Sequence, residues 1–402
     1  MLINYTVENY KSIRDKTTLS MEAYTRDQRN KETLWEISKG LTVLPLASIY
    51  GQNASGKSAL WDSMRHAKEL IVTPGSLNAQ RNGQNCFLFD NESRNLPTRF
   101  SFDFFNNGKR FTYSLATYDG KVVKETLYFD RKLLFDREEG SEIKIGSSVP
   151  HDEKKKIELI TEAMNENYLL FSKCSEFKVR TVGEAYNWFE EKLRFVKAQQ
   201  PIDERPGYVR KIEEALKDHR YEIIDMINRA DFGISDIFFE EAVFLEGRAG
   251  LNSYKEVLVE HKFNTDIRDK KQTLKLSEES DGTKKMIFLI IEWIEAIKKG
   301  NVLVIDEMES SLHPHLVDFL IEYIMKKDVN VNGAQLIFTT HDAATAKRNM
   351  FRRDQVWFAS RDPGEGNTSL YSWLDYDVRS DLEFTENYLA GRFGAIPHVK
   401  KI

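Results

Sequence analysis

Apolar positions change their spacing several times along this chain, and each change predicts an element. Val43 to Tyr50 is a nearly unbroken apolar run, as expected of a buried strand, with its start blurred by Pro45. Ala59 to Ile71 follows with helical spacing and is stopped by Pro74 and Gly75. Before them, residues 1–20 alternate imperfectly (Leu2, Tyr5, Val7, then Ile13, Thr17, Leu19), which predicts a hairpin or two neighbouring strands. Residues 25–40 are charged and read as loop, and residues 74–98, rich in Gly, Asn, Pro and Arg, read as irregular.

Three β-runs come next: Phe100 to Phe104, Phe111 to Leu115 and Val122 to Phe129, separated by Asn107-Gly108 and Asp119-Gly120. Those dipeptides favour turns with positive φ, so the stretch predicts an antiparallel meander. From His151 the spacing turns helical: Ile157, Ile160, Met164; Trp188, Phe189, Leu193, Val196; then Val209 to Ile227. About three helices are expected there, with their aromatics building a local core. Residues 237–263 return to β character. A helix follows with Met286, Leu289, Ile290, Trp293 and Ile297 on one face, and then come two apolar strands, Val302 to Ile305 and Gln335 to Thr340. The expected division is 1–150, 151–234 as a helical insertion (a lid or arm), and 235–402.

Composition narrows the class. A chain of 402 residues exceeds one ordinary core, and 41% hydrophobic with 12% aromatic residues belongs to a folded globule. A net charge of -5 argues against a polyanion-coating protein but allows a local basic groove. The N-terminus reaches Glu8 and Lys11 too soon for a signal peptide, and the longest apolar run, Met286 to Ile291, is too short to span a bilayer. Cys86 and Cys174 are far apart, so no disulfide framework or zinc site is expected and a cytoplasmic location fits.

Chemistry enters at Gly51-Gln52-Asn53-Ala54-Ser55-Gly56-Lys57-Ser58, between the first apolar strand and its helix. Strand, glycine-rich loop and helix is the context of a phosphate-binding loop, whose N–H groups and helix N-terminus favour phosphate oxygens. Asn53, Ser55, Gly56, Lys57, Ser58 and Ala59 are the expected nucleotide contacts, with Lys57 on the β/γ-phosphates and the Ser58 hydroxyl on Mg²⁺. Val302 to Ile305 ends in Asp306-Glu307: Asp306 would support Mg²⁺ and Glu307 would polarise an attacking water. The plain alternative is a strand that meets solvent at two acids. Ser280 and Gly282 open the helix of Met286, where donors bind an anion or simply cap the helix, and the residues leave both readings open. Thr339-Thr340 delivers His341, able to hydrogen-bond a γ-phosphate. His313-Pro314-His315 is a poor metal pair, since Pro314 begins a helix and no acidic or Cys partners cluster nearby.

The order P-loop, Glu279-Ser280-Asp281-Gly282-Thr283, Val-Ile-Asp306-Glu307 and Thr-Thr-His341 resembles the SMC-like branch of the ABC-type ATPases over roughly 1–130 and 235–360. The resemblance implies an α/β fold, an ABC-type P-loop core with an antiparallel β-layer and a helical insertion. It makes Lys57 and Ser58 Walker A, Asp306 and Glu307 Walker B, and His341 the switch histidine; Glu307 and His341 then act in catalysis. Glu279 to Thr283 looks like the signature loop and Ser311-Leu312-His313 like the D-loop. Asp281-Gly282 departs from the signature's double glycine, Thr283 from its last position, and His313 from the D-loop aspartate. Gln84 is a weak candidate for the Q-loop glutamine. In such proteins the signature loop of a second subunit completes each ATP site, which implies a homodimer or higher homo-oligomer.

Glu8 to Ser12, Ile227 to Ile234, Glu309 to Pro314 and Tyr388 to Pro397 further resemble bacterial stand-alone ATPases of the RloA/AriA type, relatives of the overcoming-lysogenization-defect nucleases in antiphage and abortive-infection systems. Asp375-Tyr376-Asp377 mimics a Toprim DxD, but too little chain follows for that fold. The resemblance therefore implies a separate Toprim-type nuclease or toxin chain and a phage-protein trigger. Two rival readings stay open: an SMC-like DNA repair or DNA-clamping ATPase, with Lys154-Lys155-Lys156 and Arg352-Arg353 as basic groups, and an ABC transporter subunit, for which no membrane-coupling pattern is evident.

Overall fold

The strands that read as unbroken apolar runs form the middle of a six-stranded sheet with helices on both sides. The computed structural model describes residues 1–73, 75, 77, 85–198, 207–230, 233–245, 251–263, 270–310, 312–342, 351–376, 387–388 and 390–394. Gln84, Ser311, Asp377, Asp231, Phe232, Leu389 and Ala395 to Pro397, which carried parts of the motifs above, lie outside the described residues.

In chain order, β1 (Leu2–Glu8) and β2 (Thr17–Ser20) pair antiparallel, as the alternation predicts. A small ribbon of β3 (Trp35–Ser38) and β4 (Leu41–Val43) follows, where the charged sequence had suggested only loop. β5 (Leu46–Tyr50) leads through the glycine loop into α1 (Lys57–Val72). The meander is β6 (Thr98–Asn106), β7 (Lys109–Tyr118), β8 (Lys121–Phe129), β9 (Lys132–Glu138) and the short β10 (Lys144–Ile145). Its first two turns sit where Asn107-Gly108 and Asp119-Gly120 require them, all four residues at positive φ. With β1 and β2 these strands make one antiparallel sheet, ordered β10-β9-β8-β7-β6-β1-β2.

Then come α2 (His151–Ala163), α3 (Leu170–Glu176), α4 (Arg180–Asn187) and a π-turn over Trp188–Lys192. Here one expectation needs correcting. Leu193 and Val196 do not continue a helix: they belong to β11 (Leu193–Lys197), which runs parallel to the acidic strand. Apolar residues three apart mimic helical spacing, and long-range pairing overrides it. The described helices also divide between two cores. Phe171 stacks on Tyr113 at 4.3 Å and Trp188 on Phe104 at 4.3 Å, so α2–α4 and the π-turn cover the antiparallel sheet. By contrast α5 (Tyr208–Arg229) joins the opposite core.

The remaining elements are β12 (Ile234–Leu245), β13 (Leu251–Phe263) and β14 (Lys270–Lys275), a three-stranded antiparallel sheet, then α6 (Asp281–Lys299), β15 (Val302–Asp306), α7 (Pro314–Met325), β16 (Gln335–Thr340), β17 (Val356–Arg361) and β18 (Thr368–Ser372). The central sheet is ordered β11-β15-β16-β5-β17-β18, parallel except for β18. Its strands sort by parity. Val302 and Val304 face the core shared with α1 and the antiparallel sheet, whereas Leu303 and Ile305 face α5, α6 and α7. Both faces are covered, which explains the continuous apolar runs. Buried Gln335 ties the sheets together: its Oε1 accepts from the Leu2 N–H at 2.6 Å, and its Nε2 donates to the carbonyls of Leu2 and Leu44. The result is the expected α/β fold with an added antiparallel layer.

Candidate functional site

Parallel strands present their C-terminal ends to one crevice. Here that crevice is a cavity of about 600 Å³ lined by Asn53, Ser55, Gly56, Lys57, Ser58 and Ala59 from the loop, with Asp306, Glu307 and His341 from the strand ends. Ser280 and Gly282 are not among its lining residues.

The loop is shaped by close packing. Gly56 caps α1 at φ 102°, and a Cβ there would lie 2.1 Å from Thr368 Oγ1. Gly51 has no such room either, since a Cβ would meet the Ala359 carbonyl at 2.5 Å. Thr368 on β18 braces the loop, its Oγ1 lying 3.1 Å from the Ser55 carbonyl and 2.9 Å from Ser12 Oγ. Lys57 Nζ donates to the carbonyls of Gly51 and Gln52, at 2.6 and 2.9 Å. Burial pushes the Lys57 ammonium below its ordinary value, against the opposing pull of Glu309, Glu307 and Asp306.

Asp306 is 2% exposed, and two hydroxyls bond one of its carboxylate oxygens. Ser58 Oγ donates to Asp306 Oδ1 at 3.2 Å, and Thr339 Oγ1 donates to the same oxygen at 2.7 Å. Thr339 Oγ1 in turn accepts the Glu307 N–H at 2.8 Å. Glu307 sits at φ 52°, an uncommon conformation for a residue other than glycine, where the chain turns out of β15 at the crevice. His341 follows β16; its backbone N–H donates to Glu309 Oε1 at 2.8 Å, and its Nδ1 lies 2.8 Å from the same oxygen.

These residues fit a nucleotide phosphate and Mg²⁺. Ser55 Oγ is buried at the loop without a hydrogen-bond partner, as a donor kept for a phosphate oxygen would be. The Ser58 hydroxyl and Asp306 carboxylate form a hard oxygen pair suited to Mg²⁺. No group of three or more His, Cys, Asp or Glu among the described residues could hold a metal by itself, so phosphate oxygens and water would complete the shell of a Mg²⁺ held there.

Away from the cavity, Ser280 caps α6: its Oγ accepts the Thr283 N–H at 3.1 Å. The neighbouring Glu279 bonds His261 Nε2 of β13 at 2.5 Å. His313 likewise caps α7, its Nδ1 accepting the His315 N–H, which accounts for His313-Pro314-His315 without a metal. Asp375 closes a 3₁₀ turn by accepting the Ser372 N–H. In the Tyr388 motif, Phe393 stacks on Phe358 at 4.9 Å, so its described part packs against β17.

Other cavity residues escaped the sequence reading as site residues. Lys11, Ser12, Asp62, Lys197 and Arg361 line the same cavity, and Thr339 and Thr368 hold it from behind. Lys11-Ser12 stood in a quoted motif, and Thr339 stood as a polar residue at the end of an apolar strand. Lys197 and Arg361 carried no local signal. An adjoining cavity of about 660 Å³ shares Asn53, Ala54 and Arg361 and is lined by Arg14, Phe87 and exposed Phe89. Arg361 lies 5.0 Å over the Phe89 ring.

A family model described as "AAA domain, putative AbiEii toxin, Type IV TA system" matches residues 46–346, from β5 to beyond the end of β16. No curated protein matches the chain by sequence. Among solved structures, one described as "Crystal structure of the SmcHead bound to the C-winged helix domain of ScpA" is similar over 96% of this chain and 99% of its own, with 12% identity and a TM-score of 0.46. The cbiO1 protein of Clostridium perfringens, described as part of the ABC transporter complex cbiONQ, is similar over 98% of this chain and 92% of its own, with 11% identity and a TM-score of 0.32. No helix among the described residues is long and apolar enough to cross a membrane.

Proposed function

The chain belongs to that AAA-domain family, and from this premise we propose that it binds ATP with Mg²⁺ and hydrolyses it to ADP and phosphate at a site completed by a second copy. One observation carries the reading: the hydroxyl–carboxylate chain Ser58–Asp306–Thr339–Glu307 opens into the same cavity as the P-loop. Loop N–H groups and Lys57 hold the phosphates, and Lys57 exchanges its two carbonyl partners for phosphate oxygens. Ser58 and Asp306 hold Mg²⁺, which neutralises charge developing on the phosphates. Glu307 orients and deprotonates the attacking water, with its backbone fixed by Thr339. His341 donates to the γ-phosphate. The base and ribose fit the adjoining cavity beside Phe89, Arg14 and Arg361.

Ser280 and Gly282 supply the missing wall in the second copy, so ATP joins two chains and hydrolysis loosens them. Substituting Glu307→Gln is expected to slow hydrolysis about 100-fold or more and accumulate an ATP-bound dimer. A wild-type rate sinks the assignment. Ser280→Arg is expected to abolish ATP-driven dimerisation while ATP binding persists, and an unchanged ATP-dependent mass sinks the shared site.

The ATPase cycle is proposed to control a separate toxin or Toprim-type nuclease chain in antiphage defence, with a phage protein as trigger. Support comes from the RloA/AriA-like motifs and from a family description that names a toxin of a toxin–antitoxin system. Co-purification of such an effector, released on ATP turnover, is the expected result. Salt-dependent DNA binding without an effector favours the DNA-clamping reading instead.

A further inference from the structure

Glu309 lies three residues beyond Asp306, and the hydrolytic reading leaves it without a role. Its side chain is only 9% exposed, yet it is bonded on one side alone. Oε1 accepts the His341 backbone N–H at 2.8 Å, and His341 Nδ1 lies 2.8 Å from the same oxygen. Oε2 is buried and makes no hydrogen bond. Native proteins pair most buried carboxylate oxygens, so this one calls for an explanation.

The geometry points to Glu309 as a positioning residue for His341, an inference that rests on the hydrolytic reading of the cavity. A carboxylate oxygen that already accepts the backbone N–H is an acceptor towards the ring too, so the ring proton sits on Nδ1. The backbone bond holds Oε1 at the strand end, and the 2.8 Å approach of Nδ1 to that oxygen sets how the imidazole lies. Nε2 is thereby the nitrogen left for the cavity that His341 lines. Without Glu309 the half-exposed ring turns freely and exchanges its proton between nitrogens, so correct placement must be found in each turnover.

The test is a double-mutant cycle on the full chain with MgATP. Glu309→Gln and His341→Ala are each expected to lower kcat about 10- to 100-fold while KM changes less than about two-fold, because the loss concerns the hydrolytic step. In the His341→Ala background, Glu309→Gln is expected to cost nothing further. Equal losses in both backgrounds, a change confined to KM, or an unchanged kcat overturns the inference. A readout independent of turnover is ¹⁵N NMR of labelled histidine, with His341 assigned by its absence from His341→Ala. Nδ1 of His341 is expected to be protonated in the wild type and to exchange that proton with Nε2 in Glu309→Gln, with melting temperature reporting that both fold. An Nε2-only proton in the wild type overturns the positioning role. If the wild type hydrolyses no ATP but the Nδ1 proton depends on Glu309, the clamp stands and the hydrolytic reading falls.

Discussion

Glu125 and Asp306 are both almost wholly removed from water, and the fold treats them in opposite ways. Glu125, on β8 of the antiparallel sheet, is 0% exposed and bonded on both oxygens. It accepts from the Tyr113 hydroxyl at 2.9 Å and from the backbone N–H groups of Leu170 and Phe171 at 2.8 Å, with Arg137 3.8 Å away. Asp306, on β15 of the parallel sheet, instead accepts hydroxyls that also serve the loop and Glu307, and it lines the cavity. Burial alone therefore marks neither acid as functional. The difference lies in the partners. Glu125 is saturated by groups that cannot move without unfolding α3, whereas Asp306 is held by side chains that can trade a bond for a ligand.

The sharpest way to break this contrast is Glu125→Ala. It strands two backbone N–H groups and a tyrosine hydroxyl in the core, which is expected to cost about 3–5 kcal/mol in chemical denaturation while ATP affinity at a folded temperature is unchanged. A loss below about 1 kcal/mol, or a selective loss of ATP binding, removes the distinction. The pH dependence has a definite sign. Burial holds the Glu125 carboxyl above its ordinary 4.5, although Phe171 N–H, Arg137, Leu170 N–H and Tyr113 oppose the shift. An acid raised on folding adds most stability below its unfolded value and loses that contribution as pH rises through the folded one. The stability gap between wild type and Glu125→Ala should thus be wider at pH 4 than at pH 7.

On the other side of the contrast, Thr339→Val keeps the shape of the β16 residue and removes the hydroxyl between Glu307 and Asp306. It is expected to lower kcat about 10- to 100-fold and stability by only about 1–2 kcal/mol, as read from turnover and denaturant curves. Turnover within two-fold of the wild type would show that Thr339 merely fills space.

The same contrast explains which parts were legible before the fold was known. The P-loop is contiguous because one anion must be wrapped by successive N–H groups, so Asn53 to Ala59 could be read directly. Asp306 and Glu307 stood out because acids ending an apolar strand need a reason. The meander was readable from Asn107-Gly108 and Asp119-Gly120, whose positive φ values few other residues tolerate. Lys197 could not be found locally, because β11 becomes a strand only by pairing with β15, more than a hundred residues later. Thr368 was hidden for the same reason: its hydroxyl matters only where β18 crosses behind Ser55. Glu309 stood in a recognised motif, yet its bond to His341 depends on how two strand ends meet.

Asp62 on α1 lies between the two kinds of acid and yields the smallest expected effect. It accepts from the Tyr10 hydroxyl at 2.7 Å, from Arg65 at 2.7 Å and from Lys11, and it lines the same cavity as the P-loop. Burial would raise its carboxyl, but bonds from Lys11, Arg65 and Tyr10 outweigh that and pull it from 3.8 to about 2. A depressed acid stabilises the fold above its unfolded value, so this contribution is present above about pH 4 and is lost as pH falls through about 2. The full shift corresponds to about 2.5 kcal/mol, but Lys11 is 46% exposed and solvent screening reduces the net value to about 1 kcal/mol. Asp62→Asn is therefore expected to be about 1 kcal/mol less stable at pH 7 and to converge with the wild type near pH 2. Because Lys11 loses its anchor at the cavity wall, ATP affinity should also fall, by about three-fold or about 0.65 kcal/mol, within the range of an exposed ion pair. A stability loss without any change in affinity would class Asp62 with Glu125. A change in affinity at full stability would class it with Asp306.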